Sequence, residues 1–311
     1  MKFAKIIAGI PVLYFLFLLS SVPFVSCQKT AVHDTTTITR HDTTVIKDTV
    51  TIVDTLGNLS NGLVAYYNFN NGNLNDSSGN GNNIIFNNAT PTVDRFGNSN
   101  NAYLFDGSSS YMQVKNSASL NPNNITMFAI VKPNGFFQGS CHGNQIIEKG
   151  YPYQINGFYG LEFLPNSNGV GNPCAPNVDT TTETFSGIYG DNTQFGYAAP
   201  NSPGVGATAG NDTIYVQTNQ WSTIAFTYDG TTARFYLNGA LINSVTKTVP
   251  FTPNSYDLFI GASGYFNVFP FFFNGKIDEI RIYNKAISNQ QVGYLNILKT
   301  KYLKVGNKIV Y

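Results

Sequence analysis

Short runs rich in aromatic and β-branched residues recur from about residue 61 towards the C-terminus, and Gly, Asn or Pro bounds most of them. Several runs alternate apolar and polar residues with a period of two, which is typical of half-buried strands. The predicted strands span 63–69, 101–107, 111–115, 126–133, 145–150, 158–165, 221–230, 233–239, 256–262 and 275–284. One short helix is predicted over 286–298, opened by Ser288. Many short strands with almost no helix predict an all-β domain over 61–311, either an antiparallel sandwich or a barrel.

The composition excludes several classes of function. Of the 311 residues only 11% are charged, and the formal net charge is +1. The chain therefore has no large basic surface for a nucleic-acid backbone and no long acidic segment. Hydrophobic residues make up 42% and aromatic residues 14%, which is unlike the composition of disordered chains. We expect a folded domain with a neutral polar surface.

Residues 1–26 have the pattern of an export signal. Lys2 and Lys5 precede an almost wholly apolar run at 6–19, and 20–26 is small and polar. The residues before Cys27 resemble a bacterial lipobox, in which the cysteine receives a lipid and becomes the new N-terminus. We predict a lipoprotein signal peptide with Cys27 as the lipidation site. The alternatives are plain cleaved secretion and an uncleaved anchor helix.

Export follows from each of these three alternatives. If Cys27 is lipidated, the next residue is Gln28 rather than Asp. By analogy with bacterial lipoproteins, this favours the outer membrane, facing either the periplasm or the cell surface. We expect membrane contact only through the lipid.

Residues 27–60 form a separate segment that is rich in Thr and Asp. The sequence HDTTTITR at 33–40 is followed by HDTTVIKD at 41–48, an imperfect eight-residue repeat without aromatic residues. The segment has few large apolar side chains for a core, and its β-branched residues favour an extended backbone. We predict a linker that acts as an extended stalk between the membrane and the β domain.

The chain has three cysteines, Cys27, Cys141 and Cys174. With Cys27 lipidated, an even pair remains in a compartment where disulfides persist. A metal site is a poor alternative, because His142 is adjacent but no second Cys-His cluster completes a tetrahedral site. We predict a Cys141–Cys174 disulfide.

Four segments of the β domain resemble a known family. They are YYNFNNGNLNDSSGNGNN (66–83), DRFGNSNNAYLFDGSSSYMQV (94–114), WSTIAFTYDGTTARFYLNGALI (221–242) and NGKIDEIRIYNKAIS (274–288), in the expected order. The chain is thereby similar to the laminin-G-like, concanavalin A-like lectin/glucanase domains of secreted bacterial proteins. This resemblance implies a jelly-roll sandwich of two antiparallel sheets.

The resemblance also implies a structural Ca²⁺ ion. In related domains a calcium ion joins an early loop to an acidic residue of the last long strand, and these positions correspond to Asp76 and Asp278. Asp76 lies in a run of Asn, Ser and Gly that can supply oxygen ligands. The alternative is a turn in which Asp76 caps its own backbone. Asp106 is a weaker third candidate, since Asp-Gly there is typical of a hairpin turn.

Two loop regions combine aromatic rings, which can cover the apolar faces of sugars, with amide and carboxylate groups for sugar hydroxyls. The first is 151–159 with 185–197, and the second is 265–273. The candidate ligand-binding residues of the first region are Tyr151, Tyr153, Tyr189, Asp191, Asn192, Gln194 and Tyr197. The alternative is that these aromatic residues pack in the core or against loops. For 270–273 a core strand is favoured over an exposed patch.

No catalytic residues are recognised. A glycoside hydrolase needs two neighbouring carboxyl groups, whereas Glu148, Glu162, Glu183 and Glu279 are isolated along the sequence. Ser–His–Asp, GxSxG and HExxH arrangements are absent as well. We predict a non-catalytic protein that binds a glycan or polysaccharide. A protein–protein or adhesion module is the first alternative, and a glycoside hydrolase is the second.

Overall fold

The computed structural model describes residues 59–136, 144–150, 156–165, 182–191, 216–266 and 270–298, with the backbone of 303–305 and 308–310. All of them belong to one unit of the chain, Ile52–Tyr311. The predicted signal peptide, nearly all of the predicted stalk and Cys27, Cys141 and Cys174 lie outside these residues. Within the described ranges, no helix is both long and apolar enough to cross a membrane.

The described elements are mainly β-strands. In chain order the strands are β1 (Leu63–Tyr67), β2 (Ile84–Asn87), β3 (Thr90–Thr92), β4 (Ala102–Asp106), β5 (Met112–Val114), β6 (Ile125–Gly135), β7 (Asn144–Lys149), β8 (Phe158–Pro165), β9 (Thr182–Gly190), β10 (Val216–Gln217), β11 (Ser222–Tyr228), β12 (Thr232–Leu237), β13 (Ala240–Thr246), β14 (Leu258–Ile260), β15 (Asn274–Tyr283), β16 (Leu303–Val305) and β17 (Lys308–Val310). The α-helix is α1 (Asn289–Ile297), and short 3-10 helices lie at Asn70–Gly72 and Ala118–Leu120.

Two antiparallel sheets hold these strands. The eight-stranded sheet has the order β13-β12-β11-β6-β15-β4-β3, with β1 also paired to β15. The seven-stranded sheet has the order β10-β9-β8-β7-β14-β5-β2, and β16 pairs with β17 separately. Neighbouring strands in both sheets are often far apart in sequence, which is typical of a jelly-roll sandwich.

The main core lies between the two sheets and is built from the alternate, inward-facing side chains of both. Gly187 of β9 shows how closely the sheets approach. A Cβ atom at this position would lie 2.1 Å from Cδ2 of Phe226 on β11. Only glycine leaves room for this aromatic ring.

A second apolar cluster covers the outer face of the eight-stranded sheet. Val292 and Leu295 of α1 belong to this cluster together with Tyr66, Phe128 and Tyr236 of the sheet. With nine residues, α1 is too short to be stable on its own, so most of its stability comes from this packing.

Ser288 begins α1 as its sequence predicts. The Ser288 hydroxyl accepts a hydrogen bond from the Gln291 backbone N–H, and the Gln291 side chain accepts one from the Ser288 N–H. This capping box satisfies two of the backbone donors at the helix start.

The prediction of an all-β, antiparallel sandwich is confirmed by the two sheets, and each predicted strand is found to within two residues at either end. Seven observed strands are not predicted from the sequence: β2, β3, β9, β10, β13, β16 and β17. The omission of β9 matters for function, because part of it is predicted above as a ligand-binding loop.

Candidate ligand-binding face

The outer face of the seven-stranded sheet carries the candidate site. Its strands alternate between core and outer face as a pleated sheet requires. In β5, Met112 and Val114 are core residues, whereas Gln113 lies between them and is half-buried. In β14, Leu258 and Ile260 likewise belong to the core.

Five aromatic residues form a connected surface at one side of this face. Phe86 stacks on Tyr111 with ring centroids 4.7 Å apart, and Tyr111 contacts Phe266 at 4.6 Å. Phe266 in turn lies 5.4 Å from Phe259 and 6.2 Å from Phe272. Phe86 is 41% exposed, and the other four rings are partly exposed. We call these five residues the aromatic platform.

Polar groups border the aromatic platform. Gln113, which is paired with Phe86 and Phe259 on the neighbouring strands, donates from Nε2 to Oδ2 of Asp257 at 2.6 Å. The backbone N–H of Tyr111 donates to Oδ1 of Asn88 at 2.7 Å, which fixes the start of β5. The face therefore places amide and carboxylate groups beside exposed ring surfaces.

Glu148 and Glu162 lie on neighbouring strands of the same sheet and are both buried. Oε1 of Glu148 accepts hydrogen bonds from the Ser263 hydroxyl at 2.7 Å and from the Gly264 N–H at 3.0 Å. Oε2 of Glu162 accepts from Nε2 of Gln145 at 2.5 Å. The expectation that these two glutamates are isolated is thus corrected, because the pairing of β7 with β8 brings them together.

Burial raises the pKa of Glu148 to about 8, against the lowering effect of its hydrogen bonds, and the charge of Glu162 raises it further. Burial also raises the pKa of Glu162 to about 8, with the Gln145 hydrogen bond acting in the opposite direction. In the folded chain both carboxyl groups therefore favour the protonated form at neutral pH.

Tyr189 is a core residue, which corrects its predicted place in a ligand-binding loop. It lies on β9 and is 1% exposed, and its ring stacks on Phe251 at 4.7 Å and lies 4.8 Å from Tyr228. Its hydroxyl donates to the Pro122 carbonyl at 2.7 Å. The packed ring has no face left for a sugar.

Asp191 connects two segments of the chain. Its Oδ1 accepts from the backbone N–H groups of Gly157 at 2.8 Å and Thr252 at 2.7 Å, and its Oδ2 accepts from the Thr252 hydroxyl. Partial burial acts to raise the pKa of Asp191, but these hydrogen bonds outweigh it and lower the pKa. The other candidates of this region, Tyr151, Tyr153, Asn192, Gln194 and Tyr197, lie outside the described residues.

Asp76 caps its own loop. Its Oδ1 accepts from the N–H groups of Tyr66 and Ser78 at 2.9 and 2.8 Å, and its Oδ2 accepts from the Ser78 hydroxyl and the Asn82 N–H. Each carboxylate oxygen thus faces two hydrogen donors, which is the arrangement of a turn rather than of a cation ligand.

Asp278 is buried, and its Oδ2 lies 2.5 Å from Nη1 of Arg95. A calcium ion on this oxygen would compete with the guanidinium group. Among the described residues, no three His, Cys, Asp or Glu side chains come together as a metal-binding group. The carboxylates of Asp76 and Asp278 therefore do not fit a shared calcium ion. Asp106 also caps a turn, accepting from the N–H groups of residues 108–110.

The family of this chain is identified from its sequence. A laminin G family described as the concanavalin A-like lectin/glucanases superfamily matches residues 105–293. The chain belongs to the concanavalin A-like lectin/glucanases superfamily. No curated protein matches it in sequence.

Solved structures share this superfamily fold with the chain. Domain 4 of AbnA, an extracellular arabinanase from Geobacillus stearothermophilus in complex with arabinotriose, is 20% identical with a TM-score of 0.51; the match covers 75% of this chain and 98% of that one. The binding domain of Paraclostridial Mosquitocidal Protein 1 is 13% identical with a TM-score of 0.52, covering 76% and 52%. The botulinum neurotoxin type G receptor binding domain is 15% identical with a TM-score of 0.51, covering 78% and 53%.

The match spans about half the length of the two toxin domains. At these identities the likeness shows the fold alone, and a lectin/glucanase sandwich hosts many functions. The function therefore depends on the side chains of this member of the superfamily.

Sequence reasoning finds only part of the aromatic platform. Phe266 and Phe272 fall in the second predicted loop region, but Phe86, Tyr111 and Phe259 are not singled out. Within 270–273 only Phe273 is a core residue, and no strand forms there, so the predicted core strand is replaced by a loop leading into β15. The sequence does offer one signal for Phe259. It lies between two apolar residues of a predicted strand, Leu258 and Ile260, so its side chain points to the opposite face when these two pack in the core.

Proposed function

We propose that the aromatic platform binds a carbohydrate and that the chain is a non-catalytic, lipid-anchored protein of the cell envelope. The observation that carries the proposal is the set of five contacting, partly exposed rings with amide and carboxylate groups at their border. Aromatic rings cover the apolar faces of sugars, and the border groups suit their hydroxyls. The arabinotriose complex of a domain with the same fold adds support.

The absence of catalysis in this proposal rests on burial. A glycoside hydrolase places two carboxyl groups against the scissile bond. Glu148 and Glu162 lie on neighbouring strands of the seven-stranded sheet, but Glu148 is only 0% and Glu162 only 5% exposed. A sugar resting on the platform does not reach such buried groups.

The anchoring part of the proposal rests on the sequence of the first residues. The charged start, the apolar run and the lipobox-like residues before Cys27 support export and lipidation. An outer-membrane position and a Cys141–Cys174 disulfide belong to the same proposal, since an exported domain folds under oxidising conditions. The Thr/Asp-rich stalk would then hold the domain away from the membrane.

Binding of polysaccharides to the purified full chain, measured by affinity electrophoresis and calorimetry, tests the carbohydrate proposal. Phe86→Ala removes a platform ring that is 41% exposed, and Phe96→Ala is the matched control at 43% exposure outside the platform. Loss of one stacking ring is expected to weaken binding by about 1 kcal/mol, roughly fivefold, by analogy with aromatic pairs. Phe96→Ala is expected to bind as the wild type does.

Equal affinities of the two variants would place the carbohydrate elsewhere. A protein partner is the second candidate, because two consecutive large apolar residues of β2, Ile85 and Phe86, are 59% and 41% exposed. Failure of every polysaccharide to bind, together with capture of a specific protein that Phe86→Ala abolishes, would select this candidate. Release of reducing sugar during the incubations would contradict the non-catalytic assignment.

A further inference from the structure

The glutamates Glu148 and Glu162 belong to a buried polar cluster that the proposed carbohydrate site does not use. In the β7–β8 ladder, Glu148 lies opposite Gly160, and Glu162 lies opposite Gln145. In the β8–β9 ladder, Glu162 also lies opposite Ser186. Residues directly opposite in a ladder point to the same face, so these side chains converge on one part of the sheet.

Gly160 makes the convergence possible. It lies between the two glutamates on the same face and has no side chain of its own. A Cβ atom on Gly160 would lie 3.3 Å from the Ile147 carbonyl oxygen, 3.4 Å from Cζ of Phe158 and 3.7 Å from Oε1 of Gln145. The space that a larger residue would fill is therefore bordered by a backbone carbonyl oxygen, an aromatic ring and the Gln145 amide oxygen.

Three polar atoms of this cluster are buried without a hydrogen-bond partner in the part of the chain that the structure describes. They are Oε2 of Glu148, Oε1 of Gln145 and Oγ of Ser186. The three residues are 0%, 1% and 0% exposed. Buried polar atoms nearly always have a partner, so three in one cluster indicate a ligand that accepts their lone pairs.

No basic side chain balances the two carboxyl groups within the described residues. The ion pairs found there involve other acids. Lys149 is next to Glu148 in sequence, but its ammonium group donates to Oδ1 of Asn121 and Oδ1 of Asn254. Adjacent residues of a strand face opposite sides, so Lys149 does not pair with Glu148.

We propose that this cluster binds one divalent cation of the calcium type, at a position separate from Asp76 and Asp278. Two carboxylates match its charge, and the amide and hydroxyl oxygens add neutral ligands of the kind that Ca²⁺ prefers. The donor set contains oxygen alone, which disfavours Zn²⁺. Near-complete burial disfavours Mg²⁺, which retains several water ligands.

Calorimetric titration of the chelator-treated full chain with CaCl2 and with MgCl2 tests the proposal. We expect one Ca²⁺ per chain, bound more tightly than Mg²⁺, and a Ca²⁺-dependent rise in melting temperature. The double variant Glu148→Gln/Glu162→Gln keeps the side-chain shapes and is expected to lose at least about tenfold in Ca²⁺ affinity. Asp229→Asn removes one exposed carboxylate elsewhere and serves as the control, with unchanged Ca²⁺ binding.

Stability in chelator separates loss of the site from loss of the fold. Without metal, removal of two buried acids is expected to raise the melting temperature of the double variant above that of the wild type, and added Ca²⁺ then stabilises only the wild type. Failure of Ca²⁺ to bind the wild type, equal binding by the double variant, or a preference for Mg²⁺ would each overturn the assignment. None of these measurements involves a polysaccharide, so the result is independent of the carbohydrate proposal.

Discussion

Asp76 and Asp106 show how single carboxylates shape the polar turns of this domain. Each accepts hydrogen bonds from several backbone N–H groups of its own turn, and the Ser78 or Ser109 hydroxyl adds another. Partial burial acts to raise the pKa of Asp106, but the donors at 108–110 outweigh it and hold the pKa well below its usual range. Such loops are ordered by their own side chains.

Replacing Asp76 by Ala removes four accepted hydrogen bonds and leaves the Tyr66 and Asn82 N–H groups without this acceptor. We expect the free energy of unfolding to fall by about 2 kcal/mol, measured by urea denaturation of the full chain. Asp76→Asn keeps one acceptor oxygen and is expected to lose about half as much. The loss should be the same in Ca²⁺ and in chelator. A loss seen only in Ca²⁺ would instead support the sequence-based calcium site at Asp76.

At the scale of single residues, the sequence singles out Asp76 and Asp278 but does not show whether their carboxylates bind a cation or other groups of the chain. A run of Asp, Asn, Ser and Gly supplies the same oxygen atoms to a cation and to its own backbone. The path of the chain decides between them, because it brings the Tyr66 N–H to Asp76 and Arg95 to Asp278. Those contacts cross 10 and 183 residues of sequence, beyond the reach of a local pattern.

At the scale of the strand, β7 and β8 bury two carboxyl groups without an ion-pair partner among the described residues. The folded pKa values of Glu148 and Glu162 are about 8, against about 4.3 for an unfolded glutamate. Between these values the folded chain binds more protons than the unfolded chain, so its free energy of unfolding falls as the pH rises.

In chelator-treated protein we expect this loss to be on the order of a few kcal/mol between pH 5 and pH 8. The urea midpoint, measured at several pH values, reports it. Glu162→Gln should flatten the profile while leaving every histidine of the chain in place. A wild-type midpoint that stays constant over this range would show that the two carboxyl groups do not titrate together in a buried site.

The neighbouring strands β8 and β9 show where strand prediction succeeds and where it fails. β8 is predicted at its observed bounds, 158–165. β9 is missed because Gly187 and its polar residues weaken the alternation, although glycine is required there by Phe226. The aromatic platform is missed in part for a different reason. Its rings are neighbours across strands rather than along the sequence.

For the whole molecule, lipidation at Cys27 should decide where the domain resides. We expect the wild-type chain to be recovered in the detergent phase after Triton X-114 partitioning, and Cys27→Ser to move to the aqueous phase or to remain as an unprocessed precursor. Mass spectrometry of the mature N-terminus gives the lipid and the cleavage position. A wild-type chain that keeps residues 1–26 would select the uncleaved anchor, and one in the aqueous phase would select plain secretion.

The place of β15 in the eight-stranded sheet has a consequence for how the domain is made. This strand pairs with β6 along one side and with β4 and β1 along the other, so residues 274–283 join strands that begin as early as residue 63. Pairings over such separations slow folding, because the long loop must be closed before the contacts form. A chain that stops before residue 274 would leave the edges of β4 and β6 open to other chains. Truncation ahead of this strand is therefore expected to cause aggregation rather than to give a smaller working domain.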